Sequence, residues 1–105
     1  MTDLEITKRC AEAMGHEYIY VGPEMCIRTD KERDAYTKIP MYRTIYDPLH
    51  DDAQAMALVK KIGLHIVYRA LHIDTWRVDK ADKYATANDL NYAICECVAK
   101  MKEAA

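Results

Sequence analysis

Residues 86–101 read TANDLNYAICECVAKM, and they decide what kind of fold this chain adopts. Leu90, Ile94, Cys97, Val98 and Met101 recur at i, i+4, i+7, i+8 and i+11, the apolar stripe of an amphipathic helix. Thr86 and Asp89 stand at capping-box spacing ahead of it. Working back, two stretches change period. In Leu64–Ala70, Leu64, Ile66, Tyr68 and Ala70 share one face, and His65, Val67 and Arg69 the other. In Thr75–Asp79, Trp76 and Val78 oppose Thr75, Arg77 and Asp79. Period-two alternation with one polar face is the pattern of an antiparallel sheet open to water on one side. Leu71–Asp74 links the two strands.

A second helix precedes these strands. Asp47-Pro48 sets a turn, Asp51 or Asp52 caps the start, and Ala55, Met56, Val59 and Ile62 form the apolar stripe. Lys60 and Lys61 occupy its last turn and Gly63 ends it. The first helix opens on a Thr2/Glu5 capping box, carries Ile6, Cys10, Ala13 and Met14, and stops at Gly15. Glu17–Val21 is rich in β-branched and aromatic residues and reads as a strand. Gly22-Pro23 turns the chain, and Met25–Arg28 is a second short strand. Residues 29–46 form a loop or hairpin insertion within the domain, where Pro40 confines Ala35–Ile45 to an edge strand or extended loop. The fold class is α+β: a small, mostly antiparallel sheet with three helices in the order α-β-(β)-α-β-β-α. With 105 residues, half of them hydrophobic, the chain makes a single domain, 1–105, with one modest core.

Composition excludes several functions. A net charge of −2 argues against long nucleic acid as a partner. No apolar run reaches bilayer length, and MTDLEITKRC is not a signal peptide. The expected location is the cytoplasm. No serine is present, so a Ser-His-Asp triad is ruled out, and no glycine cluster cradles phosphate. Cys10, Cys26, Cys95 and Cys97 read as reduced core residues. Cys95 and Cys97 point about 200° apart on a helix and cannot share a metal. No cofactor and no metal are expected, although Cys10, Cys26 and His16 leave a zinc set conceivable.

The binding candidates lie in the middle of the chain. Tyr36, Lys38, Tyr42, Arg43 and Tyr46 interleave aromatic rings with cations, a mix that serves protein interfaces and anion contacts alike. Between Arg28 and Asp47 five basic residues face four acidic ones, yet Lys38 and Arg43 have no acid between them. A small anionic ligand or an acidic protein patch suits that arrangement. Eight tyrosines and no phenylalanine also fit tyrosines that fill the edge of the core. An exposed edge strand offers a route to homo-oligomers. The catalytic alternative is a small hydrolase-like enzyme using His72 and Asp74 or a cysteine.

Two segments carry a family likeness. Tyr46-Asp47-Pro48-Leu49-His50-Asp51-Asp52-Ala53 leads into an Ala-rich helix with Met56 and Val59. Ala93-Ile94-Cys95-Glu96-Cys97-Val98-Ala99-Lys100 closes the chain, with Trp76-Arg77-Val78 between them and Met14-Gly15 ending the first helix. This set resembles the small phage and prophage proteins of the phage ABA-sandwich domain family. His16 stands where that family often has an aromatic residue, and His50-Asp51 where it has Ser/Thr-Asp. The resemblance implies an α-β-α layered sandwich and a phage or prophage protein in a host cell. It brings no catalytic residue or cofactor with it. The expectation is therefore a non-enzymatic accessory protein that binds a host protein or a small anionic ligand, with host-defence inhibition suggested by class alone. The alternative is a homo-oligomeric assembly protein.

Overall fold

A computed structural model describes residues 1–28, 44–69 and 75–104. Its elements are α1 (Asp3–Met14), β1 (Tyr18–Val21), β2 (Glu24–Ile27), β3 (Thr44–Ile45), α2 (Asp52–Ile62), β4 (His65–Arg69), β5 (Thr75–Lys80), β6 (Lys83–Ala87) and α3 (Leu90–Ala104). The α+β class and the order of elements are as the sequence implies. Where the sequence suggests one sheet, the described strands form two, each three-stranded and antiparallel: β1-β2-β3 and β4-β5-β6.

Local chemistry sets the helix ends. The Thr2 hydroxyl accepts from Glu5 N at 3.2 Å, and Asp51 accepts from Gln54 N at 3.0 Å, each satisfying a donor that the first helical turn leaves open. Gly63 closes α2 with φ 78, a left-handed conformation that a Cβ disfavours, and its N–H reaches Val59 O. The start of α3 differs from the sequence reading. Thr86 belongs to β6, and the helix begins at Leu90 with Ala93 N bonded to Asp89 O at 3.1 Å. The Thr86/Asp89 spacing is therefore not a capping box. Asp89 alone stands at the helix entrance.

β6 has no counterpart among the sequence-predicted strands. It pairs with β5 from Trp76↔Ala87 to Lys80↔Lys83, leaving Ala81-Asp82 as a two-residue turn. Ala81 takes φ 57 there, as tight hairpin turns of the primed types demand at their first central residue. An alanine in that region is strained by about 1 kcal/mol. Replacing Ala81 with glycine should therefore raise stability by up to about 1 kcal/mol, seen as a melting temperature a few degrees higher. A lower melting temperature would show that the turn carries no such strain.

The core is organised around α3. Ala93, Ile94, Cys95, Cys97, Val98 and Ala99 are all buried, so the helix is covered on both sides rather than along one stripe. On one side Cys10 of α1 donates its thiol proton to Cys95 O at 3.6 Å, and the Cys95 thiol meets the Cys10 thiol. On the other the Cys97 thiol lies 3.9 Å from Lys83 O in β6. The two cysteines do point in opposite directions. The layers run sheet β4-β5-β6, then α3, then α1 with α2.

That order explains the alternating strands. Ile66, Val78 and Ala85 lie in one register row and Tyr68, Trp76 and Ala87 in the next; all but the exposed Tyr68 pack into the core on the α3 side. His65, Asp79 and Tyr84, then Val67, Arg77 and Thr86, form the opposite face. There Asp79 accepts from Arg77 Nε at 3.3 Å and sits 3.5 Å from His65 Nδ1, while the Arg77 guanidinium lies 4.3 Å above the Tyr84 ring. A sheet covered on one side only reads as alternation, not as unbroken apolar runs.

Candidate functional site

The segment from Ile45 to Asp51 connects β3 to α2 and forms the floor of the site. Tyr46, Pro48 and Leu49 are buried in the core. The Gln54 side chain ties the segment to α2. Its Oε1 accepts from Asp47 N at 2.6 Å, and its Nε2 donates to Ile45 O at 2.8 Å. Tyr46 is only 3% exposed, with its ring edge-on to His16 at 5.2 Å. Its hydroxyl is buried without a hydrogen-bond partner among the described residues. Burial, with the nearby Cys10 and Cys95 thiols, pushes the tyrosine far above its ordinary pKa, so it stays neutral.

Two clefts flank this ring. One, of about 310 Å³, has apolar walls from Met14, Ile27, Ala53, Ala57 and Tyr46, with His16, Thr44, Asp51 and Gln54 around them. Burial, and secondarily the Lys61 ammonium, hold the His16 pKa below its usual value, so the imidazole is neutral at pH 7. The other cleft, of about 270 Å³, is acidic. Asp3, Glu24 and Asp47 line it, and His50 stands on its wall. His50 Nδ1 sits 3.0 and 2.9 Å from the two oxygens of Asp47, which fixes the orientation of the imidazole at the surface.

Of the residues the sequence proposes for binding, Tyr36, Lys38, Tyr42 and Arg43 lie outside the described residues. Tyr46 is described, and the structure makes it a buried wall shared by both clefts, not an exposed contact. Ile27 and Thr44, which line the apolar cleft, lie close to the two points where the chain leaves and re-enters the described residues. The alternative catalytic pair, His72 and Asp74, also lies outside them. The four cysteines are buried and free. The Cys95 thiol is held well above its usual pKa by its hydrogen bond with Cys10 and by burial, and Cys97 is raised by burial and by Asp79. Neither is a ready nucleophile. Cys10, Cys26 and His16 are not gathered into a metal-ligating group among the described residues.

Sequence reasoning misses most of the cleft. Met14 ends α1, His16 follows it, Ile27 ends β2, and Ala53 and Ala57 lie on α2, so no single window of sequence shows them together. The Asp47–His50 contact does have a local signal, an Asp and a His three residues apart around Pro48.

Among the described residues, no helix is long and apolar enough to cross a membrane. Neither a curated protein nor a solved structure matches the chain. A family model does match, over residues 1–102, and its description is Bacteriophage P22, NinX. That span includes the Tyr46–Ala53 entry to α2, the Met14-Gly15 end of α1, Trp76-Arg77-Val78 and the Ala93–Lys100 stretch of α3 on which the likeness to phage proteins rests. The chain belongs to the phage P22 NinX family.

Proposed function

We propose that this phage accessory protein acts without catalysis, by binding a host protein in the apolar cleft beside Tyr46. The observation that carries the reading is the cleft itself. It is walled by Met14, Ile27, Ala53, Ala57 and the Tyr46 ring, and Ile27 and Thr44 on its lining stand close in sequence to the two ends of the segment that carries Tyr36, Lys38, Tyr42 and Arg43. A cleft of this size holds one aliphatic or aromatic side chain of a partner. Burying such a group contributes about 2 kcal/mol, or roughly 30-fold in affinity. Lys38 and Arg43, with no acid between them in sequence, suit acidic residues flanking that side chain. A free small anion fits the cleft less well, because the acidic residue Asp51 is part of its lining and no lysine or arginine is among its described lining residues. Blunting a host defence is one purpose such binding would serve.

The test is quantitative affinity capture from host-cell extract with three baits: the wild-type chain, Ala57→Trp, and Tyr42→Ala combined with Arg43→Ala. Ala57 is half-exposed on α2, so tryptophan there fills the cleft while sparing the core. One host protein should be enriched by the wild type and reduced at least about 10-fold by either variant, with circular dichroism unchanged. No enrichment by the wild type, or enrichment indifferent to both variants, would overturn the reading.

A further inference from the structure

We propose that the free edge of β1 is a self-association surface, on which a second copy of this chain pairs its own β1 antiparallel about a two-fold axis at Ile19. Among the described strands β1 lies at the edge of its sheet, and three of its four side chains are exposed: Ile19 43%, Tyr20 46% and Val21 55%. Tyr18–Val21 contains no lysine, proline or glycine, so it lacks the usual devices that blunt an edge.

The register shows which backbone groups face outward. Arg28 N donates to Glu17 O at 3.1 Å, which makes Glu17 and Arg28 a hydrogen-bonded pair. By alternation Ile19 and Val21 also turn their backbone groups toward β2, and Tyr18 and Tyr20 turn theirs away. The far side of β2 agrees. Tyr46 N donates to Met25 O at 2.8 Å, so Met25 turns toward β3 and its neighbours toward β1. The free edge therefore presents the N–H and C=O groups of Tyr18 and Tyr20.

A second β1 centred on Ile19 satisfies all of them. Tyr18 of each copy becomes a hydrogen-bonded pair with Tyr20 of the other. On one face the two Ile19 side chains meet in a non-hydrogen-bonded position, where cross-strand side chains approach closest. On the other face tyrosine stands against tyrosine, and aromatic cross-strand pairs are favourable. Glu17 falls opposite Val21, so no like charges oppose one another. Closure by a two-fold axis limits the assembly to a dimer. The contact is small, so the dimer should dissociate on dilution. The apolar cleft is lined by Ile27 of β2 and Thr44 of β3 and by no residue of β1, so loss of the dimer and loss of host-protein capture are separate results.

Light scattering coupled to size exclusion, run over a dilution series, tests the pairing. The mass should rise with concentration from one chain of 12.1 kDa toward two. Ile19→Lys places two ammonium groups together at the axis and should hold the protein at one chain. Tyr20→Pro should do the same, because the N–H it removes is not part of the β1–β2 ladder. Ile19→Cys combined with Cys26→Ala should form a covalent dimer under mild oxidation; the second change removes the thiol directly across from Ile19 in β2, and the other native cysteines are buried. Should the proline variant fail to fold, the lysine and cysteine variants decide. A single-chain mass at every concentration, or a dimer that survives Ile19→Lys, would overturn the proposal.

Discussion

Ile94→Asp is expected to abolish cooperative folding. Ile94 is fully buried near the middle of α3, the helix packed between sheet β4-β5-β6 and the α1–α2 layer. A carboxylate there loses its water on every side. Even if it takes up a proton, a buried acid without partners, together with the lost aliphatic packing, costs about 5 kcal/mol. A domain of this size is stable by about 5–15 kcal/mol in total. Thermal unfolding followed by circular dichroism should show no cooperative transition, whereas Ile94→Val should lose only about 1 kcal/mol. A cooperative melt for Ile94→Asp close to that of the wild type would place Ile94 outside the core and overturn the central position of α3.

Tyr46 should respond in opposite directions to two substitutions. Tyr46→Ala removes a ring that is 3% exposed and forms a wall of both clefts, and it should cost about 3–5 kcal/mol. Tyr46→Phe keeps the ring and removes a hydroxyl that is buried without a hydrogen bond among the described residues. An unsatisfied buried hydroxyl costs about 1–3 kcal/mol, so the phenylalanine variant should be more stable by about 1 kcal/mol. Urea denaturation of both variants measures the pair. A loss of stability in Tyr46→Phe would mean that the hydroxyl has a partner, such as a bound water or a ligand group.

Much of the fold was legible because its signals are local. Thr2, Asp51, Gly15 and Gly63 act within one helical turn of where they stand, and the structure uses each as a cap. The alternation in Leu64–Ala70 and Thr75–Asp79 assigned the sheet faces correctly wherever residues are described. β6 was less visible because Ala85 and Ala87 occupy its inward face, where α3 packs close against the strand, and alanine gives little β signal. The two-sided burial of α3 was hidden for a related reason. Ala93, Cys95 and Ala99 complete its covered surface, and a stripe of large side chains does not reveal them. Thr86 illustrates the opposite failure: a capping-box spacing that fell by chance inside a strand.

The site was less legible than the fold. Tyr46 looked like one more ring in an aromatic and cationic segment, but its neighbours Pro48 and Leu49 are buried and carry it into the core. The cleft brings Met14 and Ala57 together across more than one helix and one sheet, and such a juxtaposition exists only once the chain is folded.

Native mass spectrometry of the protein purified gently from host cells tests host-protein binding through that cleft most directly. The predicted result is a stoichiometric polypeptide bound to the wild-type chain and missing from Ala57→Trp. The unaccompanied chain or its dimer, or a small-molecule adduct that Ala57→Trp retains, would contradict it.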